Sequence, residues 1–290
     1  MIPAAFDYRV PETVEEAITA LADNPGEGKL IAGGHSLLPM MKLRLAQPGV
    51  LVDLKRLHEQ LSRVWLDGDR LRIGALATHS HVASSTIVRQ ACPLLADTAA
   101  EIADIQVRNR GTIGGSIAHA DPAADYPATL EALGALVTVQ SASGTREEEF
   151  DSLLIDAFYT NLGEADLITE VSVPAYLPRT GGSYHKFANK ASHFAIVGVA
   201  SRVRLDAGGR IEHVTVGITG AGSRATTAGR VEDELRGKEP TGENIDAASA
   251  HAAEGIDCLS DLHGQADYRE HLTRVLTGRA IRDAAVRAGA

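Results

Sequence analysis

Ile31-Ala32-Gly33-Gly34-His35-Ser36 follows the run Lys29-Leu30-Ile31 and leads into Leu37-Leu38-Pro39-Met40-Met41-Lys42-Leu43. The first run reads as a strand and the last as a helix start, so the two glycines occupy a strand-to-helix turn. Adjacent glycines let the chain turn tightly and leave backbone N–H groups open to a ligand. A helix start behind them adds further free N–H groups and the positive end of a dipole. This combination suits an anion, most simply a phosphate or diphosphate. The same chemistry recurs at Gly111-Thr112-Ile113-Gly114-Gly115-Ser116. Alone, either stretch reads more readily as a plain turn. Together they predict two glycine-rich loops converging on one diphosphate.

Upstream, Thr13 and Glu16 form a capping box ahead of a helix whose Val14, Ala17, Ile18, Leu21 and Ala22 share a face. Residues 4–9 and Leu30 to Ala32 read as strands on either side of it. Downstream, a helix continuing to Leu45, a strand over Val50–Leu54 and a hairpin about Asp67-Gly68 are expected. Thr78 caps the next helix, and residues 87–105 are mostly helical with Pro93 at a helix start. A helix over Pro122–Gly134 and strands over 135–140 and 166–173 precede Leu177-Pro178-Arg179-Thr180-Gly181-Gly182, the best linker candidate. Strands near 184–187, 195–205 and 211–218, then helices near 228–236, 243–254 and 268–287, suggest a separate α+β domain. The expected division is 1–177 and 178–290.

The chain has 290 residues, 44% hydrophobic and 23% charged, as a soluble globular protein has. Its net charge is −10, with no basic block to hold a nucleic acid. Neither glycine stretch contains an acid, as an anion site in an acidic chain requires. Two cysteines, Cys92 and Cys258, are too few for the four thiolates of an Fe–S cluster and offer no disulfide framework. No signal peptide or membrane span is legible. The expected location is the cytoplasm, with contact to a membrane-bound partner at its inner face left open.

Ala32-Gly33-Gly34-His35-Ser36 and Thr112-Ile113-Gly114-Gly115 together resemble the paired FAD motifs of the flavin-binding medium subunit of molybdenum hydroxylases, the xanthine dehydrogenase family. The likeness extends through Leu37 to Lys42, Gln106 to Gly111 and Asp121-Pro122-Ala123-Ala124-Asp125, and is strongest with the aerobic carbon monoxide dehydrogenase branch. It implies an α+β chain: a PCMH-type FAD-binding domain of two α/β subdomains, then a C-terminal antiparallel sheet with helices. FAD would lie extended between them. The resemblance implies that Ala32, Gly33, Gly34, His35, Ser36 and Leu37 on one side, and Gly111, Thr112, Ile113, Gly114, Gly115 and Ser116 on the other, wrap the diphosphate through backbone N–H groups. Asp125 would accept from the adenosine part, Ile102 and Ile168 would flank the adenine and flavin rings, and Lys186 would stand near the flavin. Ser116 departs from the usual Asn, and His193 stands where relatives often carry Asp.

The resemblance implies an electron-transfer role. Electrons would arrive from a large subunit carrying the molybdenum cofactor through a small subunit carrying 2Fe-2S clusters, in a dimer of heterotrimers. They would leave this chain's FAD to a quinone or another acceptor. Carbon monoxide is the expected substrate of the whole complex, with aldehydes, purines and N-heterocycles as family alternatives. A stand-alone oxidase with FAD attached through His35, and a non-enzymatic nucleotide-binding module, are the competing classes. A nicotinamide Rossmann site is disfavoured, because no Gly-x-Gly-x-x-Gly follows the first strand. His79 and His81 read as surface residues, Asp121 as a helix cap, and Arg108 and Arg110 as steadying the second loop or assisting the diphosphate. Lys186 and Lys190 have a strand-edge reading beside the functional one.

Overall fold

The structure, a computed structural model, describes residues 2–289. The first unit contains β1 (Asp7–Arg9), α1 (Val14–Ala22), β2 (Gly28–Ile31), α2 (Leu37–Lys42), β3 (Val50–Asp53) and α3 (His58–Leu61). β3 is central, with β1 and β2 parallel to it on either side. Thr13 accepts from the Glu16 N–H at 3.1 Å, while the Glu16 carboxylate accepts from the Glu12 N–H, one residue earlier than in a standard capping box. Val14, Ala17, Ile18 and Leu21 bury against Val50 and Val52. Ala22, expected on that face, ends the helix exposed. α2 stops at Lys42 rather than Leu45: the N–H groups of Leu45 and Ala46 both turn back to the Met40 carbonyl, and Arg44 takes a left-handed φ of 59°.

The second unit is a five-stranded antiparallel sheet carrying helices. It begins with the hairpin β4 (Val64–Asp67) and β5 (Arg70–Gly74), with Gly68 at φ 61° as its turn signal requires. Six helices follow: α4 (His79–Ser84), α5 (Thr86–Ala91), α6 (Pro93–Glu101), α7 (Ile105–Arg108), α8 (Ile113–His119) and α9 (Asp125–Leu133). Then come β6 (Leu136–Ser141), β7 (Gly144–Glu149), α10 (Phe150–Leu153), the small hairpin β8 (Leu154–Asp156) and β9 (Tyr159–Thr160), and β10 (Leu167–Pro174). The sheet order is β4-β5-β10-β6-β7. Leu71, Ile73, Val137, Val171 and Val173 meet Leu94, Leu95, Ile117 and Leu130 in one core. β7 escapes a hydrophobicity reading because it is Gly-Thr-Arg-Glu-Glu-Glu on a sheet edge, where charge discourages pairing with other chains. α9 starts at Asp125, not Pro122. Residues 122–124 form a turn whose carbonyls serve the next unit: the Gly220 N–H and Thr219 hydroxyl donate to Pro122 O, and the Ala195 N–H to Ala123 O.

The third unit orders β11 (Thr180–Ala188), β12 (Ala195–Leu205), β13 (Ile211–Thr219) and β14 (Thr226–Thr227) into an antiparallel sheet. α11 (Gly229–Leu235), α12 (Gly242–Ser249) and the 24-residue α13 (Ala266–Gly289) cover one face. Half of the expected linker is strand. Thr180-Gly181-Gly182 opens β11, and its glycines serve close packing: a Cβ on Gly181 would lie 2.5 Å from the Ala288 nitrogen, and one on Gly182 2.8 Å from Leu94 Cβ. The opposite face of the sheet receives α9, which lies directly on Gly217.

Candidate functional site

All three units line a cleft of about 680 Å³. Its first wall is the chain from Gly28 to Met40. β2 ends at Ile31, Gly34 takes φ 78°, and α2 begins at Leu37. Among the described residues, the N–H groups of Gly33, Gly34, His35, Ser36 and Leu37 donate to no protein acceptor. Ser36 makes no side-chain cap bond, so its hydroxyl is free as well. Gly33, Gly34 and Leu37 are half-buried and His35 and Ser36 exposed, and N–H groups at a helix start are left for a ligand or water. Five successive donors without a protein partner, at the edge of a cleft, are suited to oxyanion oxygens.

The second wall contradicts the picture of two equivalent loops. Gly114 and Gly115 lie in the first turn of α8, and Thr112 is its cap, accepting from the Gly115 N–H at 3.2 Å. Ile113 donates to Ala77 O, Gly114 to Ala75 O and Ser116 to Thr112 O. The Gly111 N–H donates to Val107 O, so five of the six N–H groups expected to wrap a diphosphate from this side are engaged inside the protein. Ile113 is fully buried and does not line the cleft, whereas Gly111, Thr112, Gly114, Gly115 and Ser116 do. This segment supplies proximity. A Cβ on Gly33 would collide with the Arg110 carbonyl oxygen and come within 2.9 Å of Gly111 Cα. Gly33 is therefore required for the two walls to meet.

Ile102 and Ile168 both line the cleft. Asp125 lines it too, at 5% exposure, and its carboxylate is already held: Tyr184 Oη donates at 2.5 Å and Lys186 Nζ pairs at 2.9 Å. Burial pushes the Asp125 carboxyl up to about 6 against the opposing pull of Lys186 and Tyr184. Lys186 does not line the cleft. It lies behind Asp125, also donating to Glu101 O and His193 O, and so ties the residue before Ile102 to the 189–194 turn. Neither the flavin-proximal nor the strand-edge reading describes this buried position. His193, at φ 61°, forms part of the rim with Ser192 and Phe194.

Other expectations change as well. His79 is 6% exposed, not a surface residue, and belongs to the cleft wall; burial first, then His35 and Arg108, lower its imidazole to about 4. Among the described residues no group of three His, Cys, Asp or Glu side chains is placed to hold a metal. Asp121 caps the 121–124 turn by accepting from the Ala123 N–H, rather than capping α9. Arg108, expected to steady the second segment or assist the diphosphate, instead anchors the turn ahead of α7, donating to Ile102 O and Ala103 O. The sequence reading missed Phe158 and Tyr159, which line the cleft from the β8–β9 hairpin while 60% and 63% exposed. An adjacent aromatic pair in a chain with only 4% aromatics was the available signal.

Residues 4–176 match the family described as FAD binding domain in molybdopterin dehydrogenase, and residues 182–284 match the CO dehydrogenase flavoprotein C-terminal domain. This chain belongs to the FAD-subunit family of the molybdenum hydroxylases. Two relatives show its breadth. The 6-hydroxypseudooxynicotine dehydrogenase complex subunit alpha of Paenarthrobacter nicotinovorans is 38% identical, covering 99% of this chain and 97% of its own. The carbon monoxide dehydrogenase medium chain of Hydrogenophaga pseudoflava is also 38% identical, over 97% of both chains. The solved carbon monoxide dehydrogenase of Hydrogenophaga pseudoflava that lacks the Mo-pyranopterin moiety superposes with a TM-score of 0.95 at 39% identity, covering 99% of each chain.

FAD is the cofactor of this FAD-subunit fold, and the residues fit it. The volume lies within the roughly 300–1,000 Å³ of ordinary cofactor and ligand sites. The free donors of Gly33 to Leu37 suit its diphosphate, and the apolar faces of Ile102 and Ile168 suit its rings. When bound, FAD takes up two electrons and can release them singly. The chain's own part would be to fix that group and to exclude water with Ile102, Ile168 and Leu76, while Lys186 holds Asp125. Cys92 is fully buried and its thiol is pushed up to about 12 by burial, so it has no nucleophilic role.

Proposed function

We propose that this chain is the electron-transfer subunit of a molybdenum hydroxylase complex. It receives electrons from a small subunit bearing 2Fe-2S clusters, fed by a large molybdenum-bearing subunit, and passes them to an external acceptor such as a quinone. The assembly is a dimer of heterotrimers. The observation that carries this reading is the cleft: an oxyanion cradle of free N–H groups closed by a second glycine segment, on a chain whose two cysteines cannot hold a cluster. No helix among the described residues is long and apolar enough to cross a membrane.

Carbon monoxide is the substrate assigned to the complex, supported by the likeness to the Hydrogenophaga medium chain in sequence and in fold. The equal identity to the 6-hydroxypseudooxynicotine dehydrogenase subunit favours a second reading, an N-heterocyclic or related substrate chosen by the large subunit. An absorption spectrum of the natively purified complex, with molybdenum and iron assays and a subunit gel, tests the core proposal. Flavin with both metals and two companion chains is expected. Flavin on this chain alone, without metals or companions, would replace it by the oxidase reading. Dye reduction by carbon monoxide, compared with that by N-heteroaromatics, then decides the substrate.

A further inference from the structure

His79 follows the cap Thr78 and is the first residue of α4, and its surroundings are unusual for a buried histidine. Its backbone N–H donates to Gly111 O at 2.9 Å, which fixes it to the second glycine segment. Its ring stands edge-on to the fully buried Tyr126, with centroids 5.3 Å apart. Nδ1 is buried and has no hydrogen-bond partner. Nε2 bonds no described protein group either, and it lies 2.5 Å from where a Cβ on Gly111 would stand. Gly111 Cα also lies 2.9 Å from where a Cβ on Gly33 would stand, next to the still closer Arg110 carbonyl. His79 thus lines the cleft at the seam of the two glycine segments, with a ring nitrogen unclaimed. Nδ1 is the nitrogen sealed from the cleft, so Nε2 is the one left to meet a ligand or an ordered water there.

We propose that His79 binds the FAD diphosphate, donating from Nε2 at the seam between the Gly33–Leu37 donors and Gly111. The proposal rests on the FAD site and extends its donor set beyond backbone groups. It also explains why Gly111 is glycine: any side chain there would displace the imidazole. The second segment, whose N–H groups apart from that of Thr112 are engaged, would then contribute a donor indirectly, by seating His79 through the Gly111 carbonyl.

The test uses the full chain, stripped of flavin and titrated with FAD by fluorescence quenching, with the melting temperature of the flavin-free protein as a control. His79→Gln places an amide nitrogen close to the Nε2 position; His79→Asn places one near Nδ1 and leaves the Nε2 position empty. Losing a hydrogen bond to a charged group weakens binding by about tenfold or more. The expected result is near-native FAD affinity in His79→Gln and at least tenfold weaker binding in His79→Asn, with similar flavin-free melting temperatures. Equal weakening in both variants, or native affinity in His79→Asn, would overturn the proposal and leave His79 as a packing residue. Failure of the unsubstituted chain to take up FAD at all would instead count against the FAD site itself.

Discussion

Ala32 to Leu37 and Gly111 to Ser116 share a signature, paired glycines before a short helix, yet the structure uses them differently. In the first, the N–H groups from Gly33 to Leu37 have no protein acceptor. In the second, the N–H groups of Ile113, Gly114, Gly115 and Ser116 are all bonded within the protein, and Thr112 caps the helix through its hydroxyl. The first is a cradle; the second is a prop that holds the cradle's far side in place. Identical local chemistry becomes donor or scaffold according to what lies opposite. Ala75 and Ala77 offer carbonyls to the second segment, whereas among the described residues none accepts from the N–H groups of Gly33 to Leu37.

The comparison can be broken most severely at the contact between the walls. Gly33→Ala forces the Arg110 carbonyl away, so FAD retention after gel filtration should fall by about two orders of magnitude or more, while Gly115→Ala, which meets only Thr112 Oγ1 at 2.8 Å, should keep most of its flavin. Equal retention in the two would refute the assignment of cradle and prop. Next in size is the support behind the second wall. The Lys186 and Asp125 side chains are 5% and 4% exposed, and removing one partner of a buried pair costs about 3–5 kcal/mol, so Lys186→Met should lower denaturant stability by that order.

The buried histidine of the second wall should show itself in the pH dependence of stability. The imidazole of His79 is held near 4 against an ordinary 6.5, so the folded chain binds fewer protons than the unfolded chain between these values. Stability is therefore full above pH 6.5 and falls as pH drops toward 4, by on the order of 3 kcal/mol. Denaturation curves at several pH values should show this loss in the native chain and less of it in His79→Gln. The smallest expected effects sharpen the contrast of caps. Thr112→Val removes a working cap and should cost about 1 kcal/mol, whereas Ser36→Ala removes a hydroxyl that caps nothing and should change stability by only about a few tenths.

Periodicity and turn chemistry made most elements legible. α1 has its cap and buried stripe, the Asp67-Gly68 turn has its positive φ, and β12 and β13 pair as a long hairpin. Misreadings arose where a residue's role depends on a distant neighbour. Gly181 and Gly182 resemble a linker because glycine is permissive, yet they are glycine so that α13 and Leu94 can approach β11. Pro122 to Ala124 resemble a helix start, yet their carbonyls are taken by Thr219, Gly220 and Ala195.

The sequence by itself determined the family, the anion-binding character of Ala32 to Ser36 and the exclusion of an Fe–S cluster from this chain, because these follow from residue type and local spacing. Only the tertiary structure decided which N–H groups stay free, that Lys186 clamps Asp125 from behind the cleft wall, and that His79 is buried at the seam. Each of these is a question of which partner reaches a group first. Partners such as Ala75 for Gly114, or Asp125 for Lys186, are brought together by packing between elements far apart in the chain.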